Sequence, residues 1–209
     1  MNRPRERSPR KAKGQGPERR EEILAAALKL FTERGVDAVS TRDIARAVGV
    51  SQPALYAYFP SKDDIGRELH QRAFALLAER LAGHRHDPAE TVEEVADMLR
   101  VYIDFGLEYP QMYRIAFMTV APKAWLGQHT GMSPMAQSTY GVLAAVIAEA
   151  RARGRTVDLD AETLTQCIWA GMHGLVSLLI AKPSFPWAER EHLIQSHVRL
   201  LARGMLKGR

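Results

Sequence analysis

Two tyrosines, Tyr56 and Tyr58, lie two residues apart in the stretch SQPALYAYFPSKDD, residues 51–64. At about 100° of rotation per helical residue they cannot share a face. Leu55 and Phe59, four apart, point the same way and form the buried side. Pro53, Ala54 and Ala57 fall on the opposite side, so the outer face is small and the flanks carry phenol hydroxyls. A merely solvated helix more often shows Lys or Glu there. The chemistry this arrangement suits is contact with a DNA groove. The major groove, ~12 Å wide, admits one α-helix, and small residues let it sit deep against thymine methyls. Hydroxyls on both flanks then reach phosphates of the two groove walls. Ser51 and Gln52, at the N-terminal end, reach base edges, where Gln suits adenine. A plain helical hairpin with half-buried tyrosines would show the same periodicity.

These residues need elements to position them. Ile23, Leu24, Ala27, Leu28, Leu30 and Phe31 form one apolar stripe of a helix beginning near Glu18 and ended by Gly35. A second helix is expected over TRDIARAV, with Ser40 or Thr41 as its cap and Asp43 in a capping-box position. Ile44, Ala45 and Val48 are its inward side, and Gly49 breaks it. Ser51 caps a third helix over residues 52–59, where Pro53 is tolerated in the first turn. Pro60 stops that helix, and Ser61 caps a fourth running from Lys62 to about Ala82. Two helices joined by a short turn containing glycine form a helix-turn-helix, with residues 52–59 as the recognition helix.

The rest of the chain reads as helices without β alternation or internal repeats. A long helix is expected from Pro88 to Tyr109, one from Pro110 through Met118, and a loop or broken helix over residues 119–131. Ser133-Pro134 opens another to about Arg153, Asp160 caps one to about Ala181, and Pro186 opens the last, to about Lys207. The expected fold class is all-α: about nine helices, as a small N-terminal bundle and a larger C-terminal antiparallel bundle. The expected division is a disordered basic arm (1–17), a helix-turn-helix domain (18–66) and a sensing and dimerisation domain (67–209).

Composition sets bounds. With 209 residues, 46% of them hydrophobic, the chain supports a sizeable core. No apolar run approaches the ~20 residues needed to span a bilayer, and no apolar leader follows the basic start. The single cysteine, Cys167, leaves no internal disulfide framework, and a cytoplasmic protein with no membrane partner is expected. The net charge is +5, yet the first twenty residues alone hold eight Lys/Arg against two Glu. That arm reads either as a solubilising tail or as a segment that follows DNA phosphates. His84 and His86 could bind a metal, but no third ligand is evident, so neither metal nor cofactor is expected. Cys167 and His173 lack an orienting carboxylate, so no nucleophile–base pair is expected, and Cys167 reads as a small buried residue.

Aromatic and sulfur side chains concentrate in the C-terminal half. Phe105, Tyr109, Met112, Tyr113, Phe117, Met118, Trp125, Met132, Trp169 and Met172 are candidates for the wall of an apolar pocket, or else for core. Tyr109, Tyr113 and His173 are its candidate polar groups, and the segment around Trp125 a candidate lid. His173 reads equally as a core histidine bonded to backbone. Two stripes, Leu164, Ile168, Leu175 and Leu179, then Leu193, Val198, Leu201 and Met205, suit a four-helix dimer interface.

TRDIARAVGVSQPALYAYFPSKDDI resembles the DNA-binding signature of the tetracycline-repressor (TetR) family, over roughly Arg20 to Leu69. The resemblance rests on FTERG, the Thr41-Arg42-Asp43 helix start, VGVS, LYAYF and Ser61-Lys62. It implies that Tyr56, Tyr58 and Lys62 contact phosphates, while Thr41, Ser51, Gln52, Pro53 and Ala54 lie against bases or groove edges, with Arg42 on the same surface. The family often has His where this chain has Tyr58. CIWAGMHGLVSLL, with Trp169 and His173 four apart, resembles the Trp-x-x-x-His-Gly element of one C-terminal subclass, and YPQMYRIAF the segment that accompanies it. The resemblance implies a homodimeric repressor, not an enzyme, on a double-stranded, pseudo-palindromic operator, released by a small apolar effector. The alternative is a helical enzyme or carrier using the C-terminal cavity, with a degenerate N-terminal bundle.

Overall fold

A computed structural model describes residues 16–83, 91–126 and 132–207. Residues 1–15 of the basic arm, the His84/His86 connector and residues 127–131 of the candidate lid lie outside them. The described residues form ten helices and no strand; one antiparallel bridge joins Thr156 to Leu206. They are α1 (Gly16–Arg34), α2 (Thr41–Val48), α3 (Gln52–Tyr56), α4 (Lys62–Ala82), α5 (Val92–Glu108), α6 (Pro110–Tyr113), α7 (Lys123–Leu126), α8 (Pro134–Ala152), α9 (Ala161–Ala181) and α10 (Arg190–Met205). A single π-helical turn, Arg114–Met118, continues α6. The helix beyond the expected nine is α7, a single turn inside the segment read as loop or broken helix.

The caps explain most boundaries. Ser40 accepts from the Asp43 N–H in a complete capping box, Ser51 from Ala54, Ser61 from Asp64, Ser133 from Ala136 and Asp160 from Thr163. Thr91 and Glu94 form a second capping box at the start of α5. Gly35, Gly49 and Gly154 carry φ of 82°, 75° and 71°, the left-handed conformation that ends a helix cheaply only at glycine. The start of the last helix differs from expectation. Pro186 does not open α10; Glu189 does, its carboxylate accepting from the N–H groups of Glu191 (2.9 Å) and His192 (2.7 Å). Residues 183–188 form instead a turn in which the Trp187 indole donates to the Lys182 carbonyl (3.0 Å).

Two apolar cores share α4. The N-terminal core joins Ile23, Ala27 and Phe31 of α1, Ile44 of α2, Leu55 and Phe59, and Ile65, Leu69 and Ala73 of α4. The C-terminal core begins at Leu77, one turn further along α4, and takes in Leu99, Ile103, Phe105, Ile168, Val176 and Val198. Along α4 the change from one core to the other lies between Ala73 and Leu77. Across the outside of the first core, Arg72 bonds both Glu21 oxygens (2.6 and 2.8 Å) and Glu68 (2.7 Å), while Arg20 also pairs with Glu68. Arg20 in addition lies 4.4 Å over the Phe59 ring, so α1 is tied to α4 and to the end of the recognition segment.

Helix α9 corrects the expectation about apolar runs. Its 21 residues are long and apolar enough to cross a membrane by length and composition. Within this fold it packs against α5, α8 and α10, as a core helix does. The stripes assigned to a dimer interface are likewise core. Leu164, Ile168, Leu175, Leu179, Val198 and Met205 are buried inside one chain, and Leu193 and Leu201 pack against them. Periodicity shows that a helix has an apolar face; it does not show that α5 of the same chain covers it.

Candidate nucleic-acid interface and internal cavity

The α2–α3 surface has the predicted layout. Leu55 and Phe59 are fully buried, while Pro53, Ala54 and Ala57 are exposed on the opposite side. Helix α3 is shorter than expected and ends at Tyr56; residues 57–59 close as a turn in which the N–H groups of Tyr58 and Phe59 both donate to the Leu55 carbonyl (2.9 and 3.1 Å). Tyr56 is 45% exposed, whereas Tyr58 is half-buried against the N-terminal core. Arg42 and Ser51 are exposed on the same surface.

Three of the expected groove-facing side chains form one hydrogen-bonded triangle. Gln52 Nε2 donates to Thr41 Oγ1 (3.0 Å) and to the Tyr56 hydroxyl (3.3 Å), and Thr41 and Tyr56 lie 3.3 Å apart. The bond with Thr41, then that with Gln52, lowers the Tyr56 phenol from its usual range. The triangle spans α2 and α3 and fixes the Gln52 amide before any partner arrives. Lys62 makes a contact that the sequence did not show: its Nζ donates to the Val36 carbonyl (2.8 Å), in the connection between α1 and α2. An ammonium has three donors, so phosphate contact and this bond are compatible.

A cavity of about 380 Å³ opens in the C-terminal half. Its wall comes from α4 (His70, Phe74, Leu77, Leu81), α5 (Met98, Leu99, Tyr102), α8 (Ala136, Thr139, Tyr140, Val142, Leu143) and α9 (Trp169, Met172). Ala116, Phe117, Thr119, Val120 and Ala121, with Leu126, Met132 and Ser133, complete it. Among the residues expected from sequence, Phe117, Met132, Trp169 and Met172 line it. The structure places the others elsewhere. Phe105 and Tyr113 are core, with Met112 and Met118 packed against it. The Tyr109 hydroxyl accepts from Arg80 (3.1 Å), and its ring stacks under that guanidinium at 4.9 Å.

His173 is held by Tyr113, whose hydroxyl lies 2.6 Å from Nδ1, and Tyr113 in turn meets the Tyr102 hydroxyl at 3.0 Å. Burial lowers the His173 imidazole and pushes the Tyr102 phenol up to about 12. Neutral imidazole and neutral phenols therefore make up this chain, which leads from the cavity wall at Tyr102 to α9. Cys167 is exposed rather than buried. No group of His, Cys, Asp and Glu among the described residues has metal-binding geometry.

Trp125 also departs from expectation. It is no lid; it is 2% exposed and belongs to the N-terminal core. Its indole N–H donates to Asp63 (3.3 Å) and its ring lies 6.3 Å from Phe31. It fits because Gly66 has no side chain: a Cβ there would overlap the indole. Next to it, Leu126 faces the cavity. Sequence reasoning missed most of the wall, including the α4 residues Phe74 and Leu77 and the polar His70. His70 is 3% exposed, its Nδ1 has no hydrogen-bond partner among the described residues, and burial lowers its pKa from 6.5. A buried polar group without a partner costs about 1–3 kcal/mol. The sequence hint was its place one residue after Leu69 on α4 and four before Phe74, but ELHQR reads as a solvated run.

Comparison with known proteins agrees with this architecture. Residues 23–69 match the family model described as bacterial regulatory proteins, tetR family, and residues 95–201 match a tetracyclin repressor-like C-terminal domain. A nucleoid occlusion factor SlmA from Haemophilus influenzae is 32% identical over 99 residues, 47% of this chain and 45% of that protein. The chain thus spans about half the length of the curated relatives it matches. A tetR-family regulatory protein from Rhodococcus RHA1 superposes with a TM-score of 0.75 at 16% identity, covering 92% of this chain and 99% of that one. The ketosteroid transcriptional regulator KstR2 of Mycobacterium tuberculosis gives 0.69 at 21%, over 91% and 96%. These structural neighbours are transcriptional regulators rather than enzymes. With one model on the DNA-reading bundle and a second across the C-terminal bundle, the chain belongs to the TetR family of DNA-binding transcriptional regulators.

Proposed function

We propose that the protein is a cytoplasmic homodimeric repressor, released from a pseudo-palindromic operator when a small apolar effector fills the cavity. The observation that carries this reading is α4, which supplies Ile65, Leu69 and Ala73 to the DNA-reading core and His70, Phe74 and Leu77 to the cavity wall. A ligand in that wall acts on the element that sets the position of the recognition surface. Release follows from differential affinity for two arrangements of α4, as linkage requires. Tyr56, Tyr58 and Lys62 take the phosphates; Thr41, Arg42, Ser51, Gln52, Pro53 and Ala54 take the bases and groove edges. The DNA-binding unit runs from residue 18 into α4, and the sensing and dimerising unit takes the remainder.

The homodimer forms through the outward faces of α9 and α10, not through the buried stripes. Cys167, Ala170, Gly174 and Leu178 share one face of α9, and Leu200 and Gly204 lie on the open side of α10. Leu178 and Leu200 are 49% and 67% exposed in the single chain, as interface anchors would be before a partner covers them. A two-fold axis there sets two recognition surfaces roughly 34–36 Å apart.

Selection of bound duplexes from a random library, followed by gel-shift titration, tests this. Two inverted half-sites one helical turn apart, with release by a cavity-filling apolar compound, are the expected result. No sequence-specific shift on any duplex, together with turnover of a bound small molecule, would favour the enzyme or carrier alternative.

A further inference from the structure

The triangle of Thr41, Gln52 and Tyr56 fixes which atom of Gln52 is left for a base. Three contacts close it: Gln52 Nε2 to Thr41 Oγ1 (3.0 Å), Gln52 Nε2 to the Tyr56 hydroxyl (3.3 Å), and Thr41 Oγ1 to that hydroxyl (3.3 Å). Each contact needs a proton. The amide NH2 supplies two, and the Thr41 hydroxyl supplies the third by donating to Tyr56. The Tyr56 O–H then stays free for a phosphate. With the amide turned over, its carbonyl would accept from the hydroxyls, and only two protons would serve three contacts. Donation to the Tyr56 oxygen from Thr41, then from Gln52, also agrees with the lowered phenol.

Both donors of the Gln52 amide are thus used inside the protein, and the carbonyl oxygen Oε1 remains. Oε1 takes no hydrogen bond among the described residues. Among those residues the buried, unpaired side-chain nitrogen or oxygen is His70 Nδ1, so Oε1 is open to the outside. Gln52 is the first residue of α3, next to the exposed Ser51, Pro53 and Ala54. In the major groove a lone acceptor meets only a base that presents a donor. Adenine presents its N6 amino group and cytosine its N4 amino group, whereas guanine presents the acceptors N7 and O6 and thymine the acceptor O4. The two-bond pairing of glutamine with adenine also needs an N–H aimed at N7. Freeing one would give up a bond of the triangle, so the second bond to adenine brings no net gain.

We infer that Gln52 reads one operator position through Oε1 alone, by accepting from a base amino group, so that adenine and cytosine are taken there and guanine and thymine are rejected. This rests on the reading of α3 as the groove-facing helix. Thr41 and Tyr56 set the choice by occupying the amide protons, and Tyr56 keeps its own proton for the backbone.

The test uses the full chain and the duplex selected from a random library. Comparison of the unsubstituted protein with Gln52→Ala, over all four bases at each position, locates the position whose preference depends on Gln52. Adenine and cytosine should both be accepted there, and guanine and thymine should bind more weakly. Two analogues of adenine at that position then separate the atoms. Purine, which lacks the N6 amino group, should weaken binding about fivefold, the size of one neutral hydrogen bond. 7-Deazaadenine, which lacks the N7 acceptor, should bind as adenine does. A loss with 7-deazaadenine as large as that with purine, or guanine or thymine bound as well as adenine, overturns the inference. A selected duplex whose preferences are all unchanged in Gln52→Ala ends this inference alone and leaves α3 as the groove-facing helix. If no duplex is preferred at all, the reading of α3 falls with it.

Discussion

The α2–α3 surface and the cavity are assembled over different sequence distances. Thr41, Gln52 and Tyr56 lie within sixteen residues of one another and meet through caps and one glycine turn. The cavity wall draws on α4, α5, α8 and α9, from His70 to Met172. A surface built locally is specified by local rules; a cavity is whatever distant helices leave unfilled. Substitutions in the first should act mainly on DNA contacts, and substitutions around the second on both stability and coupling.

The strongest challenge to that contrast is Trp125→Ala. It removes a fully buried indole that joins α7 to Gly66, Phe31 and His70, and should cost about 3–5 kcal/mol in urea unfolding, with weaker operator binding. A cost below 1 kcal/mol would show that the long-range contact is dispensable. Leu200→Glu comes next. A charge at the centre of the proposed interface should weaken dimerisation by at least ~2 kcal/mol in sedimentation velocity, without changing helical content. An unchanged dimer would place the interface on another face.

On the reading surface, Gln52→Ala should relax base preference by ~1–3 kcal/mol at one position of a selected operator while leaving urea stability nearly unchanged. Comparable losses at every position would mean that Gln52 orders the triangle rather than reads a base. Acid sharpens the other side of the contrast. Burial holds the imidazoles of His70 and His173 below 6.5, so the unfolded chain takes up protons first as pH falls. Stability that is complete above pH 6.5 should decline as pH drops toward the folded-state values, and His70→Leu should remove its share of that decline. A pH-independent midpoint between pH 7 and 5 would contradict burial of both rings. The smallest effect is expected for Lys62→Ala. It should lower the salt slope of DNA binding by ~0.9, one phosphate contact, and cost ~1 kcal/mol through the lost Val36 bond. An unchanged slope would leave Lys62 with the Val36 role alone.

The buried-versus-exposed pattern of residues 51–59 was legible because a helical wheel needs only neighbours four apart. Ser40, Ser51, Ser61, Ser133 and Asp160 were legible as caps for the same reason. Trp125 was not, because nothing near it in sequence says that a glycine sixty residues earlier leaves room for an indole. The stripes of α9 and α10 were seen as apolar faces but given the wrong cover, since an apolar face has the same spacing whether it meets α5 of its own chain or a second copy. Cys167 was misplaced likewise: its residue type suggested burial, and the helix turned it outward.

The sequence by itself determined the all-helical class, the helix-turn-helix and the small outer face of α3, because caps, glycine turns and the 3.6-residue period are short-range properties. Only the tertiary structure decided that α4 serves two cores, that Trp125 seats against Gly66 in the first of them, and that His70 lines a cavity while its Nδ1 is buried. Those depend on which side chains meet across sixty to a hundred residues, where packing volume rather than local spacing is the governing quantity.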